Sequence, residues 1–185
     1  MKKRRLPLGV QTFSEIAEDK LVYVDKTARI YDLVTDSGKF VFLARPRRFG
    51  KSLLCSTLAA LFAGRRELFA GLAIDALDWE WKKHPVIHID LNPANYLNGV
   101  NELFITINTT FETCENKYGI PNISTTIADR FRRLIQNLAA KFSEKAAVII
   151  DEYDKPLLDT INDREVHETL KNELRGFYGV LKSSD

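Results

Sequence analysis

The sequence has no apolar run long enough to cross a membrane, and no signal-peptide pattern follows its basic N-terminus. It contains only two cysteines, Cys55 and Cys114, which lie far apart in helical patterns and favour reduced, buried thiols over a disulfide. Its three histidines lack the spacing of metal ligands. We therefore expect a cytoplasmic protein that does not associate with a membrane.

The sequence also lacks a strong excess of either charge, since 27 basic residues face 25 acidic ones. A net charge of +2 does not favour a general nucleic-acid binder, although contact with a nucleic-acid backbone stays open. There is no internal repeat, low-complexity segment or linker. At 185 residues and 45% hydrophobic content, the chain fits a single globular domain over residues 1–185.

What the sequence does have is an apolar run that leads into a basic loop and then a helix. The run predicts a central parallel strand at about 39–44, and the residues after the loop have helical apolar spacing as far as Phe62. The loop ends in Gly50, Lys51 and Ser52. In this context backbone N–H groups and the positive end of the helix bind phosphates, the lysine bridges the β and γ groups, and the hydroxyl ligates Mg²⁺. The predicted phosphate-binding residues are Arg47, Arg48, Phe49, Gly50, Lys51 and Ser52.

This loop departs at one position from the usual phosphate-binding pattern. The pattern has a glycine five residues before Gly50, where this chain has Arg45. Because Arg45 precedes a proline, it favours an extended, stiff entry to the loop. The alternative interpretation is an ordinary turn before a helix. The order of a predicted strand, a loop and a helix along the chain favours phosphate binding instead. Arg45 and Arg48 are weaker candidates for neutralising γ-phosphate charge.

A second apolar run, at residues 146–150, ends in two adjacent acids, Asp151 and Glu152. In ATPases with a phosphate-binding loop, such a strand end places an aspartate on the Mg²⁺ ion and a glutamate on the attacking water. We therefore predict metal binding by Ser52 and Asp151, and catalytic roles for Glu152 and Lys51. The alternative is a strand that ends in a solvated acidic turn, with Asp151 or Asp154 capping a helix.

Two further acids stand near strand or helix ends. Asp90 ends the apolar run at 85–91 and points towards the carboxyl edge, where ligands bind in parallel sheets, although a plain loop acid is an equal alternative. Asp25, Lys26 and Thr27 form either part of an adenine site or a helix cap, and we favour the cap.

Strands that alternate with helices predict an α/β fold with a parallel sheet. Long amphipathic helices are expected from about residue 100 to 114, from 127 to 142 and from 163 to 182. Three strands are convincing, at about 39–44, 85–91 and 146–150. No motif that reads guanine is evident, which favours adenine as the base.

Several blocks resemble the predicted AAA-ATPase-like family. They are Leu6–Gly9, Tyr23–Thr27, the arginine-rich loop from Arg45 to Leu53, and Ile150–Leu157. The resemblance covers nearly the whole chain, and the family's loop lacks the first glycine too. It implies a P-loop NTPase of the additional-strand, catalytic-glutamate class, whose sheet normally has five strands. On that basis we expect the C-terminal strands to be absent from this sequence. Family members often carry a C-terminal domain similar to PD-(D/E)XK nucleases.

The expected function is ATP binding with Mg²⁺ and hydrolysis of ATP, which drives a change in an attached domain or a protein partner. An alternative is a nucleotide-binding switch or scaffold with little hydrolysis. A nuclease is a weaker alternative, because that pattern needs a lysine two residues after Glu152, where this chain has Asp154.

Overall fold

The computed structural model describes residues 4–44, 46, 49–124 and 126–183. Their contacts divide the chain into two compact units, one up to Lys83 and one from His84 onwards. The second unit contains a small parallel sheet flanked by helices, so the protein is α/β. The expectation of one domain that lacks its last strands stays a prediction.

The first unit is built from helices around a small core. Its α-helices are α1 (Phe13–Glu18), α2 (Thr27–Asp36) and α3 (Lys51–Phe62), and two short 3-10 helices follow at Arg66–Phe69 and Ala73–Ala76. The buried residues of its core are Phe13, Ile30, Ala60, Leu61, Leu68, Phe69 and Ile74.

Aromatic side chains and the Ser56 hydroxyl make contacts between elements of this unit. The Phe13 ring packs on the Phe69 ring at a centroid distance of 4.7 Å, and Phe69 packs on Trp81 at 5.2 Å. The Phe13 N–H donates to Ser56 Oγ at 3.0 Å, which joins the start of α1 to α3. Such ring pairs add to the free energy gained by burying their area.

The strand predicted at about 39–44 is not formed in the described residues. Phe40 is 59% exposed and Phe42 is 73% exposed. A run of β-favouring residues becomes a strand only when a neighbouring segment pairs with its N–H and C=O groups. Among the described residues, the sheet is formed by two segments elsewhere in the chain, and residues 39–44 do not belong to it.

The second unit contains the sheet. Strands β1 (Val86–Asp90) and β2 (Ala147–Asp151) pair in parallel, and Val86 faces Ala147 at the start of the ladder. The other elements are a 3-10 helix at Tyr96–Asn98 and the helices α4 (Asn101–Tyr118), α5 (Ile127–Phe142), α6 (Lys155–Asp159) and α7 (Arg164–Ser183).

The helices of this unit cover one face of the sheet. Ile87 and Ile89 of β1 are fully buried and belong to the same core as residues of α4, α5 and α7. At its centre, the Phe131 ring lies 5.1 Å from the Phe111 ring and 4.8 Å from the Phe177 ring. The three rings come from three different helices, so this stack determines how the helices pack.

One buried ion pair joins α4 to α5. The Arg130 guanidinium donates to both Glu115 oxygens and to Asn108 Oδ1, the last at 2.7 Å. The Arg130 side chain is 12% exposed and the Glu115 side chain is 8% exposed. The hydrogen bonds that Arg130 donates to Glu115, together with the charge of Glu115, raise the pKa of Arg130 against the effect of burial. Each charged group of the pair therefore compensates its partner for the hydration that both have lost on burial.

The predicted long helices appear with their ends within a few residues of the expected positions, although α4 runs on to Tyr118. The sequence did not predict α6, which begins at Lys155 with a proline next in the chain. In the part of the chain that the structure describes, no helix has both the length and the apolar character that crossing a membrane requires.

Candidate functional site

The start of α3 has the backbone geometry that the phosphate-loop prediction requires. Gly50 caps the helix in the left-handed conformation, with φ of 73°, and its C=O accepts the first intrahelical bond from the Leu54 N–H at 3.0 Å. This conformation favours glycine, because a Cβ atom is strained there. Lys51 and Ser52 are the first two helical residues. Their N–H groups are at the positive end of the helix.

The rest of the predicted loop is described only in part. Arg45, Arg47 and Arg48 lie outside the described residues. Phe49 is 65% exposed. The helix start is therefore the described portion of the predicted phosphate-binding loop, and it belongs to the first unit.

The predicted acids lie in the second unit, at the carboxyl ends of its two strands. Asp90 of β1 pairs with Asp151 of β2 in the parallel register, and the Leu91 N–H donates to the Asp151 C=O at 3.1 Å. Paired residues in a parallel ladder point to the same face of the sheet. The structure thus brings together Asp151 and the acid that the sequence left undecided, Asp90.

Each of these carboxylates is oriented by the backbone that follows it. Asp151 is 5% exposed, and its Oδ1 accepts from the Glu152 N–H at 3.0 Å. Asp90 is exposed, and its Oδ1 accepts from the Asn92 N–H at 2.8 Å. Local bonds of this kind hold an acidic side chain at the end of a strand instead of letting it rotate in solvent.

Glu152 has an unusual backbone conformation for a residue with a side chain. Its φ is 51°, in the left-handed region, and it comes directly after the strand. The side chain is half-buried. A non-glycine residue in this region is strained, and such residues cluster at functional sites.

His88 is a neighbour of the acids that sequence reasoning did not single out. It lies two residues before Asp90 on the same face of β1, and its Nε2 is buried without a hydrogen-bond partner among the described residues. Burial lowers the pKa of His88, while the charges of Asp151 and Asp90 act in the opposite direction. The alternation of side chains along a strand was the available signal, since it places residues 88 and 90 on one face.

Asp25 has a structural role in the first unit. Its Oδ1 accepts from the N–H and the hydroxyl of Thr27 at 2.8 and 2.7 Å, and its Oδ2 accepts from the Ala73 N–H at 2.7 Å. The buried Thr27 hydroxyl in turn accepts from the Ile74 N–H at 3.1 Å. These bonds occupy both carboxylate oxygens in joining the start of α2 to the 3-10 helix at Ala73–Ala76, and the cap position of α2 itself is taken by Lys26.

The donor set at the strand ends suits a hard divalent cation. Carboxylate oxygens are the ligands that Mg²⁺ prefers, and it usually takes one or two of them together with phosphate oxygens and water. Among the described residues, no cluster of three or more His, Cys, Asp or Glu side chains could hold a metal alone. Asp90 and Asp151 supply two carboxylates, which is the number that Mg²⁺ commonly takes from a protein.

Comparison with known proteins places this geometry in context. A family model described as Predicted AAA-ATPase matches residues 7–185. A protein of Azotobacter chroococcum mcd 1, described as an uncharacterized protein in the vnfD 5' region, is 41% identical over 192 residues. That alignment covers 100% of this chain and 36% of the relative, so the chain spans about a third of the relative's length. No solved structure matches the chain.

Proposed function

Because the chain belongs to the Predicted AAA-ATPase family, we propose that it binds ATP with Mg²⁺ and hydrolyses it. The observation that carries the proposal is the register of the sheet, which pairs Asp90 with Asp151 at the carboxyl ends of β1 and β2. Ligands of parallel α/β sheets bind at this edge. A pair of acids there is suited to a cation and not to the phosphates themselves.

We assign the phosphates to the start of α3. The N–H groups of Lys51 and Ser52 have the direction and partial charge that bind an anion, and Gly50 supplies the turn that exposes them. The Lys51 ammonium adds a full positive charge for the β and γ phosphates. Ser52 supplies a hydroxyl oxygen to the cation.

Asp151 is the main carboxylate for the cation, and Asp90 is its neighbour in the ladder. When bound, Mg²⁺ would neutralise charge on the phosphate oxygens. Glu152 follows Asp151 and is the candidate base that orients the attacking water. Its left-handed backbone conformation supports this role, since strain at a strand end is maintained only where the surroundings enforce it.

Nucleotide binding is tested with the full chain and a fluorescent ATP analogue, with and without Mg²⁺. Lys51→Ala is expected to abolish binding, because the β and γ phosphates lose the ammonium charge at the start of α3. Asp151→Asn is expected to remove the effect of Mg²⁺ while weak, metal-free binding continues. Lys171→Ala, on the exposed face of α7, serves as the control for a lost lysine. Equal binding by the wild type, Lys51→Ala and Lys171→Ala would sink the proposal.

Hydrolysis is tested separately, because a nucleotide-binding switch with little turnover is the alternative. Glu152→Gln is expected to keep Mg²⁺-dependent ATP binding and to reduce phosphate release about 10²-fold or more, since general-base catalysis contributes roughly 10²–10⁴-fold. Glu168→Gln on α7 is the matched control. Phosphate release that is equally slow in the wild type and in Glu152→Gln would favour the switch. We further propose that the nucleotide state acts on an attached domain or a protein partner.

A further inference from the structure

Lys155 makes contacts that a solvent-facing lysine does not. Its Nζ donates to the Ala94 C=O at 2.8 Å and to Asp159 Oδ2 at 2.6 Å. It also lies 5.1 Å from the centroid of the Tyr96 ring. The Lys155 side chain is only 21% exposed. One ammonium therefore joins the segment after β1 to helix α6, which begins four residues after β2 ends.

Tyr96 connects this ammonium to the end of β1. Its side chain is fully buried, and its hydroxyl donates to the Leu91 C=O at 2.8 Å. Burial raises the pKa of Tyr96, and the charges of Asp159 and Asp90 add to the effect, so the hydroxyl keeps its proton and remains a donor. The ring presents its face to the Lys155 ammonium, which is the favourable geometry for a cation and an aromatic ring.

The contacts form a closed path around the two strand ends. The Leu91 N–H donates to the Asp151 C=O, the Leu91 C=O accepts from Tyr96, the Tyr96 ring contacts Lys155, and Lys155 returns through the backbone to Asp151. Asp90 immediately precedes Leu91. The backbone at the two strand ends is therefore held by this ring of contacts in addition to the strand ladder.

A second anchor holds the chain between Asp151 and Lys155. The Tyr178 hydroxyl of α7 donates to the Tyr153 C=O at 3.0 Å. The Lys155 N–H donates to the Glu152 C=O at 3.0 Å and closes the turn. The segment from Asp151 to Lys155 is thus attached at both ends and in its middle.

From this geometry we infer that Lys155 is a positioning residue, which holds the strand ends that carry Asp90 and Asp151, the two acids that we assign to a divalent cation. The inference rests on the proposed function, since it assigns the cation to these two acids. Lys155 does not touch the nucleotide in this scheme. Groups that orient the ligands of a metal commonly change metal affinity by 10- to 100-fold when they are removed.

The ligand-free test is hydrogen exchange followed by NMR in Lys155→Met, which keeps the length of the side chain but removes its charge and donors. The amides to follow are those of Leu91, Asn92 and Glu152, because each is bonded to Asp90 or Asp151. We expect these amides to exchange at least tenfold faster, while amides in the middle of α5 keep their rates. Local opening of this kind is what loss of a brace produces.

Two other variants distinguish the loss of the Lys155 contacts from a general loss of stability. Lys171→Met removes a lysine that pairs with Glu168 on the exposed face of α7, and it should leave the three amides unchanged. Lys155→Arg keeps a charged donor for Ala94 and Asp159, so it should recover most of the protection. Unchanged exchange in Lys155→Met, or equal acceleration of the α5 amides, would overturn the inference.

The cation arm uses Mn²⁺ as the probe, measured by electron paramagnetic resonance with ATP present. Lys155→Met should weaken Mn²⁺ binding about tenfold. The affinity of the variant for ATP, measured with a chelator that removes the metal, should stay at the wild-type value. An unchanged Mn²⁺ affinity would overturn the positioning role. If the wild type binds no Mn²⁺ with ATP, the proposed function fails, and the exchange rates alone then decide whether Lys155 braces the strand ends.

Discussion

The two units bury their apolar side chains to different extents. In the second unit, large residues such as Phe131 and Leu138 are fully buried, and both belong to the same continuous core. The first unit has a smaller core and leaves Phe40 and Phe42 mostly exposed, just before the predicted phosphate loop. The difference indicates that packing fixes the buried Asp151 of the second unit more firmly than it fixes residues 40–42, which precede the predicted loop of the first.

Charged residues show the same contrast. The second unit buries Arg130 against Glu115, whereas the first unit pairs Arg66 with Asp75 at the surface, where the Arg66 side chain is 62% exposed. A buried pair that loses one partner leaves a charge without water or counter-ion. When a surface pair loses one partner, water solvates the charged group that remains. The second unit should therefore respond more strongly to the loss of a charge.

The largest expected effect is the loss of a core ring. Phe131→Ala should reduce the free energy of unfolding by about 3–5 kcal/mol, since it removes the middle ring of the stack and leaves a cavity. Phe42→Ala should change it by less than about 0.5 kcal/mol, because the ring is 73% exposed. Urea titrations followed by far-UV circular dichroism measure both.

The control for this pair is Phe131→Leu, which fills part of the cavity and keeps the chain folded if the alanine variant is too unstable. A cost for Phe42→Ala similar to that of Phe131→Ala would break the comparison. It would show that residues 40–44 pack against other residues in solution, as a strand in a sheet does.

The next largest effect concerns the buried ion pair. Glu115→Gln should cost about 3 kcal/mol, because Arg130 then stays buried with its charge uncompensated. Asp75→Asn is the matched change in the first unit, and it should leave the urea midpoint nearly unchanged. Equal shifts in the two variants would mean that water reaches Arg130 and that the pair behaves as a surface pair.

Local patterns were sufficient to predict much of this fold. The apolar spacing of α5 predicted its bounds of 127 and 142, because one face of the helix must be buried wherever the helix packs. The two acids that follow apolar runs, Asp90 and Asp151, were predicted at strand ends, and both are there. Each of these predictions depends only on residues that are close in sequence.

The remaining features depend on residues that are far apart in sequence. Residues 39–44 have the composition of a strand, but a strand exists only where a distant segment pairs with it. The brace formed by Lys155 requires Ala94, 61 positions earlier, and its role was invisible in the sequence. The register that pairs Asp90 with Asp151 likewise follows from tertiary packing, since no local signal relates the two strands.

The smallest of the three effects concerns the hydrogen bonds that Asp25 accepts in the first unit. Asp25→Asn should cost about 1 kcal/mol at neutral pH, because an amide in place of one carboxylate oxygen cannot accept from both Thr27 and Ala73. Trp79 and Trp81 both lie in this unit, so tryptophan fluorescence during urea titration reports its unfolding. Asp32→Asn, at an exposed position of α2, is the control.

The difference in unfolding free energy between the wild type and Asp25→Asn should depend on pH, and the direction of that dependence shows whether the Asp25 carboxylate charge is stabilising. Burial would raise the pKa of Asp25, but its hydrogen bonds from Thr27 and Ala73 outweigh burial and hold the pKa below its ordinary value. The stabilisation is therefore complete above the ordinary aspartate pKa of about 3.9 and is lost as the pH falls through the lower, folded value. The gap between wild type and Asp25→Asn should close below about pH 4. A gap that stays constant from neutral pH down to that range would show that the carboxylate charge does not contribute, and that the first unit is no more dependent on Asp25 than on Asp32.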